Sequence, residues 1–458
     1  MSRNAQPVDR LAASLPGRVR APRLPEAGFN TGVSCRPMAV VEVGQSQEVA
    51  AAVRFAAERD LAVGVRATGH GSVPVGPEAI LVDTAAMDGI QIDADTRTAR
   101  IGAGVRSGDL VASAAALGLA PLNGASPSVG TVGYTLGGGI GPLGRAHGFA
   151  ADHVRELELV TAEGTVQQVT ADREPDLFWA CRGGKGNFGI VTAMTLDLVE
   201  IEDFYGGGLW FAAAAGAEVL SAYADWTAGV PDRMTSSLAL LRLPDLPALP
   251  PPVRGQFVVH VRIAFAGPAE EGEQLVEPLR TIAPRLIDSV APMPYARVAE
   301  IHADPVEPGP YRDSSALLTE LDAGAIKTLL ERAGPQVQAP VDVVEIRHLG
   351  GAFARTPKEG NAVGYRRAGF TLFAVARAEG EQLAPAREFQ RDLIEAMAPW
   401  RLGGPCLSYL GPEETDPAVV RSAWEPATYE RLRRIKTDVD PANTFRINHN
   451  IPPLEASG

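Results

Sequence analysis

Three cysteines in 458 residues, Cys35, Cys181 and Cys406, are too few and too scattered for a disulfide framework or a zinc cluster. Each is expected to be a small buried hydrophobe. Long apolar runs are missing as well. No stretch approaches a membrane-spanning length, and the first twenty residues, MSRNAQPVDRLAASLPGRVR, hold no apolar core suited to a signal peptide. Positive charge is in deficit: 42 Lys plus Arg stand against 55 Asp plus Glu, a formal net charge of -13. That balance argues against nucleic acid and against an anionic membrane surface. The seven histidines are dispersed, without partners at ligand spacing, so no metal site is expected. A soluble, cytoplasmic protein is the expectation.

What is present describes an ordinary globular chain, 45% hydrophobic and 21% charged. Its length exceeds one usual core, so two domains are expected. AVVEV (39–43) reads as a strand, Ser46 as the cap of a helix through SQEVAAAVRFAAER, and LAVGVR (61–66) as a second strand. A helix is expected over Ser107–Leu117 with Gly118 at its end. VRELELVTAEGTVQQVT reads as a hairpin turning at Glu163-Gly164. From about Ile201 longer apolar strands (QFVVHVRIAFAG, VDVVEIRHLGGAF, GFTLFAVARA) alternate with amphipathic helices such as 379–400. That pattern implies an antiparallel sheet covered by helices on one face. LPDLPALPPPVRG reads as a surface loop, and the last helix is expected to stop before Asp440-Pro441.

Three glycine clusters carry the chemistry. VRATGHGSVPVGP (65–77) is a strand running into a Gly/Ser/Thr turn around His70. Backbone N–H groups in such a turn form an anion nest, which suits phosphate. His70 on position alone reads as a solvated or backbone-bonded turn residue more readily than as a functional one. SVGTVGYTLGGGIGPLG (128–144) is denser; its glycines remove side chains along a path where backbone approaches a flat ligand, beyond what turns alone require. GKGNFG (184–189) matches G-x-G-x-x-G, but the β-branched IVTAMTLDLVEI after it reads as a strand. The nicotinamide-dinucleotide reading needs a helix there, so it fails on context.

Taken in order, RATGHGS, SPSVGTVGYTLGGGIGPLGRAHGFAADHV, DLFWACRGGKGNFGIVTAMTLDL and YERLRRIKTDVDPANTFRINHNIPP resemble the berberine bridge enzyme-like branch of the vanillyl-alcohol oxidase/p-cresol methylhydroxylase (PCMH-type) flavoproteins. The resemblance covers about Pro37–Leu198 and Cys406–Pro453. It implies an α+β fold: a PCMH-type FAD-binding domain of two α/β subdomains over residues 1–200, a substrate domain over 201–405, and a C-terminal segment, 406–458, returning to the flavin. It further implies that Arg66, Ala67, Thr68, Gly69, Gly71 and Ser72 wrap the FAD pyrophosphate while His70 bonds the flavin 8α-methyl. Many relatives carry a second, cysteine tether where this chain has Ser126, so a single link is expected. Val129 stands where a small residue admits dioxygen; an ordinary core valine is the plainer reading. Gly130, Thr131, Gly133, Tyr134, Gly137, Gly138, Gly139, Gly141, Gly186, Asn187, Gly189 and Val191 would line the flavin, with Asn448 and Asn450 at its polar edge and His449 near it.

The resemblance also places an aromatic base on a substrate-side strand; only Tyr409 of the local CLSY is aromatic, so it is the catalytic candidate. A phenol acting near neutrality needs its pKa brought down from about 10. Ile140 replaces a common tyrosine, and Tyr365 and Arg366 are further candidates for lining the substrate cavity, against a plain packing role. The implied activity is an FAD-dependent oxidase of a small, secondary-metabolite type substrate bearing OH, NH or an activated C–H, with dioxygen as acceptor. A dehydrogenase with another acceptor, and a flavin-retaining cyclase or binding scaffold, remain open.

Overall fold

The computed structural model describes residues 5–23 and 26–455. Three sheets of four or more strands organise it, with a two-stranded pair, Leu119–Ala120 and Val199–Glu200, beside them. The first has strands Val19–Arg20, Ala39–Glu42, Ala79–Asp83 and Ala62–Arg66 side by side, the last three parallel. AVVE, AVGVR and AILVD are nearly unbroken apolar runs, as strands covered on both faces must be. Helix Ser46–Ala57 buries Val49, Ala50, Val53 and Ala56 along one stripe against this sheet. Ser46 is not its cap, however. Gln45 holds the cap position without a side-chain bond, and the Ser46 hydroxyl donates to Glu158 at 2.8 Å. A carboxylate from the neighbouring sheet outcompetes the helix end, whose approach is satisfied by Glu48 accepting from the Gly44 N–H at 2.7 Å.

The second sheet is wholly antiparallel: Ile90–Asp93, Thr98–Gly102, Ile190–Asp197, Val154–Val160 and Val166–Val169 in that spatial order. The segment after GKGNFG is therefore a central strand, as its β-branched content implied. The Val154–Val169 hairpin turns at Gly164, φ +72°. Helix Ser107–Ala115 ends two residues earlier than expected, with Gly118 at φ +72° just beyond.

The third and largest sheet is drawn from Tyr205 to Ala376. Its central strands are Tyr205–Ala212, Phe257–Phe265, Met234–Arg242, Val343–His348, Phe370–Ala376 and Arg312–Leu318, all antiparallel. Alternate residues (Leu238 and Leu240, Val259 and Val261, Val344 and Ile346, Leu372 and Ala374) face helices Gly216–Thr227, Ala269–Arg280, Ala323–Ala333 and Leu383–Ala396 in one core. The expected helix 379–400 is in three pieces. Gly380, at φ +55°, and Pro399 leave short 3₁₀ turns on either side of Leu383–Ala396. Among the described residues no helix is long and apolar enough to cross a membrane.

After residue 400 the chain returns to the first two sheets. Leu407, Leu410, Trp424, Tyr429, Leu432 and Ile451 pack with Leu157, Leu159, Phe178 and Phe188. Helix Pro426–Val439 ends where Asp440-Pro441 forces it to. Lys436 and Asp440, both fully buried, pair at 2.6 Å, and Lys436 Nζ also donates to the Asn187 carbonyl at 2.8 Å. The tail is thereby fastened to the GKGNFG turn.

Candidate active site

Strand Ala62–Arg66 delivers the chain into the turn around His70. Gly69 sits at φ +80°, and a Cβ there would lie 2.4 Å from the Gly28 Cα, so only glycine fits. The His70 ring stacks on Phe29, centroids 3.7 Å apart and 11° from parallel. Its Nδ1 is 3.0 Å from Thr68 Oγ1 and its Nε2 3.2 Å from Ser128 Oγ. Tyr311, just ahead of strand Arg312–Leu318 of the largest sheet, donates to the His70 carbonyl at 2.7 Å. Burial, helped by the charge of Arg106, pulls the imidazole pKa down to about 4, so the ring is neutral near pH 7. Among the described residues none of the N–H groups of Gly69, His70, Gly71, Ser72 and Val73 donates to a backbone carbonyl. That is the unsatisfied donor row a pyrophosphate would fill. A recess bordered by Gly28, Arg66, Ser72, Val73 and Ile447 adjoins it. Arg66 itself is committed elsewhere, its guanidinium paired with Asp83 and Glu26 at 2.5 and 2.9 Å.

The glycine run divides in two. Gly133 opens onto free space, as do Gly71 and Gly186. By contrast, a Cβ on Gly139 would strike Tyr134 and Ala150, and one on Gly141 would strike the Asn123 carbonyl. Gly137 and Gly138, the latter at φ +99°, pack beside Lys185 and Ser408. On the side a Cβ would occupy, those glycines admit protein. Gly189, just ahead of strand Ile190–Asp197, and Val191, within it, are likewise buried, and Asn187 bonds Gly184, His449 and Ile451. These three brace the site from behind instead of facing free space. Val129 is half-buried, its carbonyl accepting from the Ser107 N–H, while Gly130 N–H donates to Thr68 Oγ1; Thr131 is buried, its N–H donating to the Val105 carbonyl. Asn448 and Asn450 each present a buried carbonyl oxygen with no partner, which suits a ligand's N–H or O–H groups. His449 is buried and donates to the Gly411 carbonyl at 2.9 Å; burial pulls its pKa down to about 3.

The helix-free face of the largest sheet closes the other side. Register sets Arg262, Ser237, Arg347 and Thr371 in one cross-strand row and His260, Ala239, Glu345 and Phe373 in the next. Arg347 donates to Glu345 at 3.1 Å and to the Ile140 carbonyl at 3.3 Å, and His302 Nε2 lies 3.2 Å from it. Although Glu345 is buried, the guanidinium groups of Arg347 and Arg262 hold it well below the usual carboxylate range. Sequence reading missed this cluster. The available signal was charge at alternate positions of otherwise apolar strands, VVEIRH and FVVHVRIAF.

Tyr409 stands over that floor, but on a 3₁₀ turn, Leu407–Tyr409, and not on a strand. Cys406-Leu407-Ser408 bends because Ser408 Oγ donates to the Gly137 carbonyl and accepts from the Gly139 N–H, pinning the turn to the glycine run. The Tyr409 ring lies 4.5 Å from Phe373, with the Arg347 guanidinium 5.8 Å from its centroid. Burial raises its phenol above the ordinary value, against the pull of Arg347. Tyr134 presents a second buried phenol with no partner. Ile140, Tyr365 and Arg366 share one largely apolar cavity with Phe353, Cys406 and Ser408. Arg366 is neutralised there by Asp152 at 2.6 Å, and Tyr365 donates to the Trp424 carbonyl at 3.2 Å, so both act as struts of the wall.

A donor nest carrying a neutral histidine, opposite a polar sheet floor with a phenol above it, defines an FAD-binding oxidoreductase. Residues 37–170, which span the His70 turn and the glycine run, match the FAD binding domain family, and residues 413–452 match the berberine and berberine like family. (R)-6-hydroxynicotine oxidase of Paenarthrobacter nicotinovorans is 30% identical over 448 residues, covering 91% of this chain and 92% of that protein. The crystal structure of 6-hydroxy-D-nicotine oxidase from Arthrobacter nicotinovorans superposes with a TM-score of 0.83 at 27% identity, covering 96% of this chain and 99% of that one. Xylooligosaccharide oxidase from Myceliophthora thermophila shares the fold, with a TM-score of 0.84 at 21% identity over 98% of this chain and all of that one. The chain belongs to the berberine bridge enzyme-like branch of the vanillyl-alcohol oxidase/PCMH-type flavoproteins.

Proposed function

We propose that this enzyme is an oxidase whose FAD is tethered through His70 alone, and which removes hydride from a small alcohol, amine or activated C–H substrate and forms hydrogen peroxide. The observation that carries the reading is His70 itself: neutral, clamped between Thr68 and Ser128, and set in a row of free N–H groups. Ser126 offers no thiol for a second link, and Cys35, Cys181 and Cys406 are all buried. In this reading residues 1–200 and 406–458 hold the cofactor and 201–405 supply the substrate floor. Residues 69–73 would hold the pyrophosphate, and Asn448 and Asn450 the polar edge of the ring. FAD, when bound, supplies a two-electron acceptor that dioxygen recharges. Tyr409 is the base of this reading and takes the substrate proton as its phenolate; burial raises its phenol above the ordinary value, so the Arg347 guanidinium beside the ring must stabilise that phenolate before the proton moves. Among substrate classes an amine is favoured, because the 30% relative is named as an oxidase of a hydroxylated nicotine.

Photoreduced protein mixed with air-saturated buffer tests the oxidase reading. Rapid reoxidation with one hydrogen peroxide per flavin is expected; sluggish reoxidation would instead identify a dehydrogenase. Tyr409→Phe should slow anaerobic bleaching by an amine or alcohol substrate about 10²-fold. An unchanged bleaching rate would remove Tyr409 as base, and no bleaching by any substrate would leave a non-redox scaffold.

A further inference from the structure

The reading above gives Ser128 only a contact with His70 and Ser126 only the lack of a thiol, yet the two hydroxyls form a chain leading from the His70 ring. Ser128 Oγ is 3.2 Å from His70 Nε2, and Ser126 Oγ is 3.1 Å from Ser128 Oγ. On the opposite edge, Thr68 Oγ1 accepts the Gly130 N–H at 3.2 Å and lies 3.0 Å from Nδ1. Among the described residues Nδ1 is the one acceptor within reach of the Thr68 hydroxyl hydrogen. With Thr68 as donor to Nδ1, Nδ1 holds a lone pair, Nε2 carries its proton toward Ser128, and Ser128 is placed to donate in turn to Ser126. Phe29 stacks on the ring and Tyr311 holds the His70 backbone carbonyl.

We propose that Ser128 and Ser126 form a hydroxyl relay that fixes this tautomer and accepts the Nε2 proton as Nδ1 becomes bonded to the flavin 8α carbon. The inference rests on the reading of His70 as tether. In the step, the Nδ1 lone pair forms the new N–C bond, and one 8α C–H bond breaks, releasing its proton. The electron pair of that C–H bond passes through the flavin ring to dioxygen, the oxidant. The Nε2 proton travels to Ser128 and out through half-buried Ser126. Two protons and two electrons thus make one hydrogen peroxide per tether formed. Neutrality of the ring, which burial and Arg106 enforce, keeps the Nδ1 pair available; Arg106 and Tyr311 are the ionisable groups facing His70. Ser126 stands at the position of the second tether in many relatives, so here a hydroxyl that moves a proton occupies the place of a thiol that forms a bond. Ser126 and Ser128 are positioning residues in this scheme, since neither is bonded to the flavin.

The test uses full-length protein from riboflavin-starved cells, mixed with FAD, and follows flavin fluorescence in acid-washed protein against time. Ser128→Ala should slow tethering about 10²-fold at pH 7 while still binding FAD non-covalently. Ser126→Ala should slow it less, and Ser128→Thr should restore it. Both deficits should shrink as pH rises, because hydroxide then takes the Nε2 proton directly, and the isolated flavin peptide should be linked through Nδ1. Tethering by Ser128→Ala at the wild-type rate, a deficit equal at every pH, or linkage through Nε2 would each overturn the relay. Wild-type protein that leaves its flavin in the acid supernatant would overturn the His70 reading instead, and the relay with it.

Discussion

Replacing His70 with alanine is expected to move all of the flavin from the washed acid pellet into the supernatant. The effect is all-or-none because the one thiol bordering the recess beside the nest among the described residues, Cys35, is buried and burial pushes it up, away from the reactive thiolate. Ser126 and Ser128 carry hydroxyls, which cannot form a thioether. Cys35, Cys181 and Cys406 are buried, and burial pushes the Cys181 and Cys406 thiols up to about 12 and 11, far from the thiolate needed for attack. The row of N–H groups from Gly69 to Val73 is backbone, so His70→Ala should still bind FAD and remain yellow before acid is added. Cysteine-to-serine variants should all keep a yellow pellet. Colour retained in the His70→Ala pellet, or flavin mapped to a cysteine peptide, would refute the single tether.

Lys436→Met should cost about 3–5 kcal/mol of stability, the usual consequence of removing one partner from a buried ion pair. Both side chains are 0% exposed and 2.6 Å apart. Asp440 would be left accepting only the Thr444 and Phe445 N–H groups, at 2.8 and 3.0 Å, with its charge uncompensated. The Asn187 carbonyl would lose its Lys436 donor in the same change. Because Asn187 also bonds His449 and Ile451, the loss should loosen the tail that carries Asn448 and Asn450. A denaturant midpoint lowered at unchanged slope, measured at equal flavin content, is the expected result. Lys436→Met combined with Asp440→Asn should recover part of the loss, since no unpaired charge then remains buried. A single variant as stable as the wild type would show that the pair contributes nothing.

Local chemistry was legible in the sequence wherever one short segment decides its own conformation. An apolar β-branched run ending in Thr-Gly-His-Gly is a strand leading into a donor-rich turn in any fold, and a β-branched run after GKGNFG continues as a strand. Asp-Pro ends a helix for steric reasons that need no neighbour. Tertiary structure alone decided what those segments meet. Ser46 abandons its helix end because Glu158 arrives from another sheet, and two of the seven glycines in 128–144, Gly139 and Gly141, make room for Tyr134 and Asn123. Ser128 reaches His70 across 58 positions of sequence. Arg262, Glu345 and Arg347 become one polar floor only through the register of strands far apart in the chain. Alternation along a strand determines which face a charge takes; strand pairing determines its company, and that is a property of the whole sheet.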